Sequence, residues 1–373
     1  MRSISKSIFA ATMALAAGSA AAQSSVTLYG VADVFIQYLN NGGKSSVFER
    51  SGGSTGSMVG LKGTEDLGGG LKGVFDLESG FTINNGGLFA DSSTLFYRQA
   101  WVGLKQDKYG TLTFGRQYQP SFWAVYPTDP FRGNEVLSPL SAIILAAATD
   151  HNTLATQFVP GRISNTLMYQ SPDVAGAKLY AMYGFAATAT QPIPSTSGNM
   201  MDIALTWQGA GLYAAMAYMN QQSGEETIAG LPRSLNLLRT EHFTGAVAYR
   251  IGIVNLQFNY GYTRPANAAP GSMAALLGAG HALSTAELGA TIQATAADSI
   301  EAAVVHRNVR GAHDNAVGFQ LGVDHNISKR TSFYARAGYM KNNGSSTTSW
   351  PGISVTEPDA SQTLVVVGMT HRF

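Results

Sequence analysis

Reactive side chains are scattered through this sequence of 373 residues. The seven histidines do not cluster, there are no cysteines, and H-E-x-x-H does not occur. A nucleophilic enzyme needs its nucleophile and its base within hydrogen-bond reach, and thiolate metal sites need cysteine. We therefore predict no enzyme, no metal and no cofactor. The one enzyme alternative is that serine and aspartate side chains converge on His151 or His281.

Charged side chains of both signs concentrate around one long segment. Arg98 and Arg116 lie in two strand-like runs joined by a short polar turn, which is typical of a β-hairpin. The strand pattern then stops for roughly forty residues and resumes at Arg162. The segment between contains three charged residues of interest, Asp129, Arg132 and Glu135. Insertions of this length are usually functional, so residues 118–161 are a candidate plug or constriction if the surrounding chain is a closed barrel.

The composition excludes several classes of protein. Basic and acidic residues nearly balance at 24 and 23, whereas a nucleic-acid-binding protein is expected to carry a strong basic excess. Charged residues make up 13% of the chain, against roughly 25% in an ordinary soluble domain. Beyond the N-terminal segment, no run of apolar residues comes close to the roughly 18 residues that a membrane-spanning helix needs. We therefore predict neither a nucleic-acid-binding protein nor a helical membrane protein.

The N-terminus has the three regions of a secretory signal peptide. Two basic residues precede a short apolar run, and three alanines offer a cleavage site before Gln23. The apolar run is too short to span a membrane. We predict that residues 1–22 are removed and that residues 23–373 form a single exported domain.

From residue 26 onward, the chain consists of segments in which apolar and polar side chains alternate. In the segment 254–263, for example, Leu256, Phe258 and Tyr260 fall on one face, and Gln257 and Asn259 fall on the other. Such strict alternation predicts strands with one apolar and one wet face.

The connections between these segments alternate between short and long, and counting the segments gives about sixteen strands. Short turns on one side, long loops on the other and alternating strands of about ten residues are the signature of an outer-membrane β-barrel. A soluble β-sandwich is the alternative, but nothing forces its loops to alternate in length. Closure into a barrel also removes the unpaired strand edges that lipid does not tolerate. We therefore predict an all-β protein, a 16-stranded antiparallel transmembrane β-barrel.

The last segment supports the same fold. Val365, Val367 and Met369 share one face, and the chain ends on Phe373. A terminal phenylalanine preceded by alternating apolar residues resembles the signal that the outer-membrane assembly machinery recognises. Any edge strand could end in phenylalanine, so this feature supports the fold without deciding it.

Several motifs together resemble those of a known family. SVTLYGVADVFIQY from residue 25, GLKGTEDLGGGLKGVFDLESGF from residue 60, RQAWVGL, GTLTFGRQY and the terminal HRF are similar to the general porins of Gram-negative bacteria, specifically their beta-proteobacterial branch. The resemblance covers essentially the whole mature chain. It implies a homotrimer of sixteen-stranded barrels in which the long third loop of each barrel folds into the lumen and narrows the pore.

The same resemblance implies a ladder of arginines on the barrel wall. Arg98 and Arg162 match two rungs by motif position, whereas the third rung falls at Met58, where the family often has arginine. A lipid-facing arginine near the membrane midplane costs about 2–4 kcal/mol. In the strand predicted over residues 94–106, Arg98 should therefore face the lumen and Trp101 the lipid, and Arg162 should also face inward.

Acidic side chains of the insertion are expected to face this ladder. Asp129 and Glu135 are the candidates, and Arg132 lies between them and offsets their charge. The alternative for Asp129 is that it caps a local turn. Asp33 is a weaker lumen candidate on the first strand, and Arg116 is a candidate for the subunit interface.

We therefore predict a passive, water-filled channel for small hydrophilic solutes and ions in the outer membrane of a Gram-negative bacterium. The expected partners are outer-membrane lipid and lipopolysaccharide, the assembly machinery and two further copies of the chain. A substrate-specific channel and an adhesin are the alternatives. A specific sugar channel should show aromatic side chains along the lumen, whereas most strand aromatics here are expected to face outward.

Overall fold

The computed structural model describes residues 25–90, 92–145, 161–186, 199–222, 225–226, 235–236, 239–265, 281–353 and 357–373. The predicted signal peptide, residues 1–22, lies outside the described residues. Within these ranges no helix is long and apolar enough to cross a bilayer. The described residues form the following strands: β1 Ser25–Asn41, β2 Lys44–Ser51, β3 Met58–Gly68, β4 Leu71–Gly80, β5 Gln99–Gln106, β6 Gly110–Tyr118, β7 Arg162–Gln170, β8 Ala177–Gly184, β9 Met200–Gly209, β10 Leu212–Gln221, β11 Glu225–Glu226, β12 Leu235–Asn236, β13 Thr240–Ile251, β14 Val254–Pro265, β15 Leu283–Gln293, β16 Asp298–Val309, β17 Asp314–Asn326, β18 Thr331–Gly344 and β19 Ser361–Arg372.

All of these strands except the short pair β11 and β12 belong to one closed antiparallel sheet. Apart from β3, which also pairs with β1, neighbouring strands of the sheet follow one another along the chain. The last strand, β19, pairs with β1 over eleven residue pairs from Val31 to Asn41. β2 and β3 both pair with β1, along its second and its first half respectively. The seventeen described segments of the sheet therefore occupy sixteen strand positions, which confirms the predicted sixteen-stranded barrel.

The two faces of the sheet differ as the alternating pattern predicts. In β14, Leu256 and Phe258 are 47% and 40% exposed, whereas Gln257 and Asn259 between and beside them are buried. In β17 and β19 the apolar members of the alternation are likewise exposed. Side chains of a strand point alternately to opposite faces, so one face of the barrel carries exposed aliphatic and aromatic side chains. We call it the aliphatic face, and we call the opposite face the polar face.

One strand position is divided between β2 and β3. β1 turns into β2 at Gly42 and Gly43, both of which have positive φ, the backbone conformation that a two-residue hairpin turn requires. Most of the connection over residues 40–55 is therefore a hairpin rather than an irregular loop. The chain leaves the sheet only between Ser51 and Met58.

Asp33 of β1 holds this break together. Its carboxylate accepts hydrogen bonds from the backbone N–H groups of Gly53 at 2.7 Å, Ser54 at 3.1 Å and Thr55 at 3.0 Å. The hydroxyl of Tyr334 donates to it as well, at 2.7 Å. The side chain is fully buried, so Asp33 satisfies backbone donors where the strand ladder is interrupted.

The insertion after β6 contains two short helices, α1 Pro120–Val125 and α2 Pro139–Leu145, and a 3₁₀ turn over Tyr126–Thr128. Both helices begin with proline, which is favoured in the first turn because the missing N–H has no partner there. Ser138 caps α2, since its hydroxyl accepts from the N–H of Ser141 at 3.2 Å. The sequence pattern predicts only an interruption of the strands here.

The start of the insertion is tied to the polar face. Asp202 of β9 accepts from the Gln119 amide at 3.0 Å and from the Ser121 hydroxyl at 2.6 Å. Tyr213 of β10 donates to the carbonyl of Ala124, and Gln257 of β14 donates to the carbonyl of Pro127. These contacts connect the start of the insertion to three strands.

Apolar packing holds residues 136–142 of the insertion. Leu137 and Leu140 are buried in a cluster that also contains Phe35 of β1, Met340 of β18 and Trp350 of the connection between β18 and β19. We call these residues, with the further members Leu39, Val136, Ala142, Val305, Tyr334, Leu364 and Val366, the apolar cluster. Full burial of a large apolar side chain contributes about 1.5–3 kcal/mol, so this cluster is a major part of what holds the insertion.

Replacing Asp33 by alanine is expected to destabilise the barrel. The substitution leaves the buried N–H groups of the break without their acceptor, which costs about 1–3 kcal/mol. The urea midpoint of the detergent-folded protein should therefore fall. Asp107→Ala, in an exposed turn, is the control and should leave the midpoint unchanged; equal losses in the two variants would contradict the role of Asp33.

Candidate functional site

Arg98 lies one residue before β5. The prediction that it belongs to the strand was wrong, because β5 begins at Gln99 and the backbone N–H of Arg98 donates to the carbonyl of Glu78 at the end of β4. The prediction for Trp101 was also wrong. Val102 and Leu104 are the exposed apolar residues of β5, so Trp101 lies with Gln99 on the polar face.

Arg162 is the first residue of β7 and lies opposite Tyr118, the last residue of β6. The register shifts between Gly115 and Gln117, so that an extra residue of β7 bulges near Asn165, whose φ is +56°. Bulges re-aim side chains and are common beside functional sites. The alternation of faces along β7 is therefore interrupted after its first residues.

Glu135 of the insertion joins the two arginines. Its Oε1 atom forms an ion pair with Nη1 of Arg162 and lies 3.8 Å from Nη1 of Arg98. The hydroxyl of Tyr118 accepts a hydrogen bond from Nη2 of Arg98 at 2.9 Å and another from Nη2 of Arg162. The guanidinium of Arg162 also lies over the Tyr118 ring, 4.3 Å from its centre. The structure thus brings together three of the predicted site residues around Tyr118.

A second carboxylate balances the charge of this group. Glu78 of β4 lies 3.5 Å from Nε of Arg98 and accepts a hydrogen bond from the hydroxyl of Tyr29 at 2.8 Å. We call Arg98, Arg162, Glu135, Glu78 and Tyr118 the charged cluster. It contains two positive and two negative side chains and is largely buried, with Arg98 11%, Arg162 5% and Glu135 22% exposed.

The sequence reasoning missed Glu78 and Tyr118. Both lie inside motifs that carry the family resemblance, GVFDLESGF and GTLTFGRQY. A search of these motifs for charged and hydroxyl-bearing residues near strand ends would have included them.

Burial by itself raises the pKa of the Glu135 carboxyl, but the guanidiniums of Arg162 and Arg98 outweigh that effect. The net result is a pKa below the ordinary value of 4.5. Nearby opposite charge favours the ionised form of an acid. Glu135 therefore stays ionised at mildly acidic pH.

Asp129 and Arg132 lie apart from the charged cluster. The Asp129 carboxylate accepts from the N–H groups of Phe131 and Gly133 and from the hydroxyl of Ser138, each at 2.7 Å. It thus caps the turn inside the insertion, which was the alternative considered for it, and burial raises its pKa above the ordinary 3.8. Arg132 is exposed and has positive φ. It is close enough to Glu301 of β16 for the two opposite charges to attract.

The remaining candidates occupy the sheet. Arg116 lies on the aliphatic face of β6, opposite Ala100, and donates to Ser164 at 2.9 Å. Met58 is the first residue of β3 and pairs with Val31. Phe373 follows β19, exchanges backbone hydrogen bonds with Gly30 at 3.1 Å in both directions and covers this glycine with its ring.

A cavity of about 120 Å³ adjoins the charged cluster. It lies between the insertion and strands β13 to β15, and its lining includes Glu135, Arg162, Phe122, Asn259 and Thr285. In the part of the chain that the structure describes, no group of three or more potential metal-ligating residues occurs.

Residues 10–345 match the model of a protein family described as Gram-negative porin. The chain belongs to this family. The porin is 30% identical to an outer membrane porin protein of Bordetella pertussis, with 98% of both chains covered. It is 27% identical to outer membrane porin protein 32 of Delftia acidovorans, with 99% of both chains covered. It is thus an outer-membrane porin channel, as predicted, of a family of channels rather than enzymes.

Solved structures agree on the fold. The porin superposes on the anion-selective porin from Comamonas acidovorans with a TM-score of 0.77 at 24% identity, covering 94% of this chain and 100% of that one. The trimer form of OmpT of Vibrio cholerae gives a TM-score of 0.65 at 15% identity, with 94% and 99% covered. These likenesses confirm the barrel predicted from the alternating pattern.

The lowered pKa of Glu135 predicts how its contribution to stability depends on pH. A depressed folded-state pKa stabilises the fold above the unfolded value and loses that effect as pH falls through the folded value. The free energy of unfolding of the native porin should therefore be larger than that of the Glu135→Gln variant by about 1.5–3 kcal/mol, both at pH 7 and at pH 5. The difference should disappear only well below pH 4.5.

Urea unfolding in detergent at a series of pH values measures this difference. Glu65→Gln serves as the control because Glu65 is exposed, and its difference from the native protein should be small at every pH. A stability difference for Glu135→Gln that is already lost at pH 5 would contradict the assigned ion pairs.

Proposed function

We propose that this porin allows small hydrophilic solutes and ions to diffuse passively through a water-filled lumen lined by the polar face. We further propose that residues 118–161 fold into that lumen as the constriction loop. The contact of Glu135 with Arg98 and Arg162 carries this proposal, because it joins the insertion to the polar side of the barrel wall. The tethers to Asp202 of β9 and Gln257 of β14 support it from two further strands.

The charged cluster is proposed as the charge filter of the pore. Charged side chains that line a pore set its ion preference. Here each arginine has a carboxylate within 3.8 Å. Because the positive and negative charges largely cancel, the net electric field that a passing ion meets is small. Arg132, exposed at the edge of the insertion, adds positive charge. The ion preference of the native channel should therefore be mild and easily moved by single substitutions.

Planar-bilayer recording tests both proposals. Purified folded protein should give stepwise currents. In a KCl gradient, Arg98→Ala combined with Arg162→Ala should shift the reversal potential toward cation preference, because two positive charges are lost while both carboxylates remain. Glu135→Gln should shift it in the opposite direction, toward anions.

Arg330→Ala provides the control because Arg330 lies in an exposed turn between β17 and β18. It should leave the reversal potential unchanged. The absence of stepwise currents would refute the channel. Normal currents with no opposed shifts from the two sets of substitutions would remove the charged cluster from the filter while leaving the channel intact.

We also propose that three copies assemble into a homotrimer in the outer membrane, in contact with lipid and lipopolysaccharide. The trimer form of the similar Vibrio cholerae protein supports this assembly. Arg116 on the aliphatic face is the candidate interface residue, since a charge on that face is costly in lipid. Phe373 is proposed as the signal for the assembly machinery, and residues 1–22 as the export signal that is removed.

Light scattering in detergent tests the assembly. The native protein should have three times the mass of the chain, and Arg116→Glu should lower the fraction of trimer because it introduces the opposite charge at the proposed interface. Lys105→Glu, on the other face of the neighbouring strand β5, is the matched control. An unchanged trimer in Arg116→Glu would exclude this residue from the interface.

A further inference from the structure

A second cavity, of about 310 Å³, lies on the polar face of β5 to β8, beside α1. Its lining combines aromatic rings with amides and hydroxyls and includes Gln99, Trp101, Gln117, Tyr118, Trp123 and Gln170. None of these lining residues carries a full charge at neutral pH. The composition therefore differs from that of the charged cluster, although Tyr118 belongs to both.

The aromatic rings come from both the wall and the insertion. Trp101 and Tyr180 lie on the strands, and Trp123, which is 37% exposed, lies on α1. The Trp123 ring is 5.3 Å from that of Tyr118. The indole N–H of Trp101 donates to the Gln99 amide oxygen at 3.1 Å, which fixes the orientation of the ring.

Some polar groups of this cavity are structural, and others are available. The Gln117 amide nitrogen donates to Thr166 at 2.9 Å, and its oxygen accepts from Thr113 at 2.6 Å, so both ends of this amide are used. By contrast, the amide nitrogen of Gln99 and the whole amide of Gln170 have no partner among the described residues. Free amides beside aromatic faces can bind a ligand that has hydroxyl groups.

We propose that this cavity is a subsite for the ring of an uncharged pyranose sugar, a proposal that rests on the channel function given above. A pyranose has flat C–H faces that pack on aromatic rings and hydroxyls that pair with amides. A charged solute would lose hydration without gaining an opposite charge. A purely aromatic solute would leave the amides of Gln99 and Gln170 unpaired.

The position of the cavity makes this subsite relevant to transport. Tyr118 lines it and also accepts hydrogen bonds from Arg98 and Arg162. A sugar bound on the Trp101 side therefore lies next to the proposed constriction. Weak binding at such a place raises the local concentration of sugar and favours its passage over that of an acyclic polyol of similar size.

Binding is measured by tryptophan fluorescence of the folded protein in detergent, titrated with methyl β-D-glucopyranoside and, for comparison, with the acyclic polyol sorbitol. The glucoside should give a saturable change with a Kd of millimolar order, and sorbitol should not. Trp101→Leu should weaken glucoside binding about three- to tenfold, and Trp101→Phe should restore most of it. Gln170→Leu should also weaken glucoside binding, although this substitution removes no tryptophan.

Trp207→Leu is the matched control because Trp207 is exposed on the aliphatic face of β9. The variant loses one tryptophan but keeps the cavity and should bind the glucoside normally. Equal binding of glucoside and sorbitol, or equal loss in Trp101→Leu and Trp207→Leu, would overturn the subsite. KCl currents recorded from the same preparations separate the two proposals: channels without glucoside binding refute the subsite alone, and absent channels refute the pore itself.

Discussion

The pairing of β19 with β1 is the constraint on which the rest of this porin depends. Lipid offers no water to an unpaired backbone N–H or C=O, so a membrane-spanning sheet must close on itself. The eleven residue pairs between the last and first strands achieve this closure. Because β1 must also pair with β2 and β3 on its other edge, the break between those two strands would leave donors unpaired. The carboxylate of Asp33 accepts from them within the barrel.

The alternation of apolar and polar side chains was enough to predict most of the sheet. This alternation has a period of two. Because the face in contact with lipid must be apolar, the alternation is clear in strands such as β14 and β17. The same period explains the errors. Trp101 was assigned to the wrong face because the strand was assumed to start at residue 94 and to carry Arg98, whereas β5 starts at Gln99. An error at the start of a strand, or one extra residue as near Asn165, reverses every assignment that follows.

The arrangement inside the insertion could not be predicted in the same way. Asp129 and Glu135 are similar side chains six positions apart in a segment without periodicity. Their surroundings decide their roles: Asp129 satisfies backbone donors of its own turn, whereas Glu135 reaches two arginines that are distant in sequence. The resemblance to general porins indicated that acids would face arginines, but the choice between these two acids depended on the tertiary fold.

The charged cluster also differs from a simple ladder of arginines. Glu78 and Glu135 match the two arginines in number and lie within 3.8 Å of Arg98. Position 58 carries methionine and adds no further positive charge. The barrel therefore shares its architecture with the anion-selective porin from Comamonas acidovorans, while its own cluster is balanced in charge.

The apolar cluster has a consequence for gating. It joins Leu137 and Leu140 of the insertion to Trp350 of the last outer connection and to strands on both sides of the closure. Moving the insertion as a hinged lid would expose all of these side chains to water at once. We therefore expect residues 136–142 to stay in place against the barrel wall, so that any voltage-dependent closure of the channel arises from rearrangement of charged side chains or outer loops rather than from their displacement.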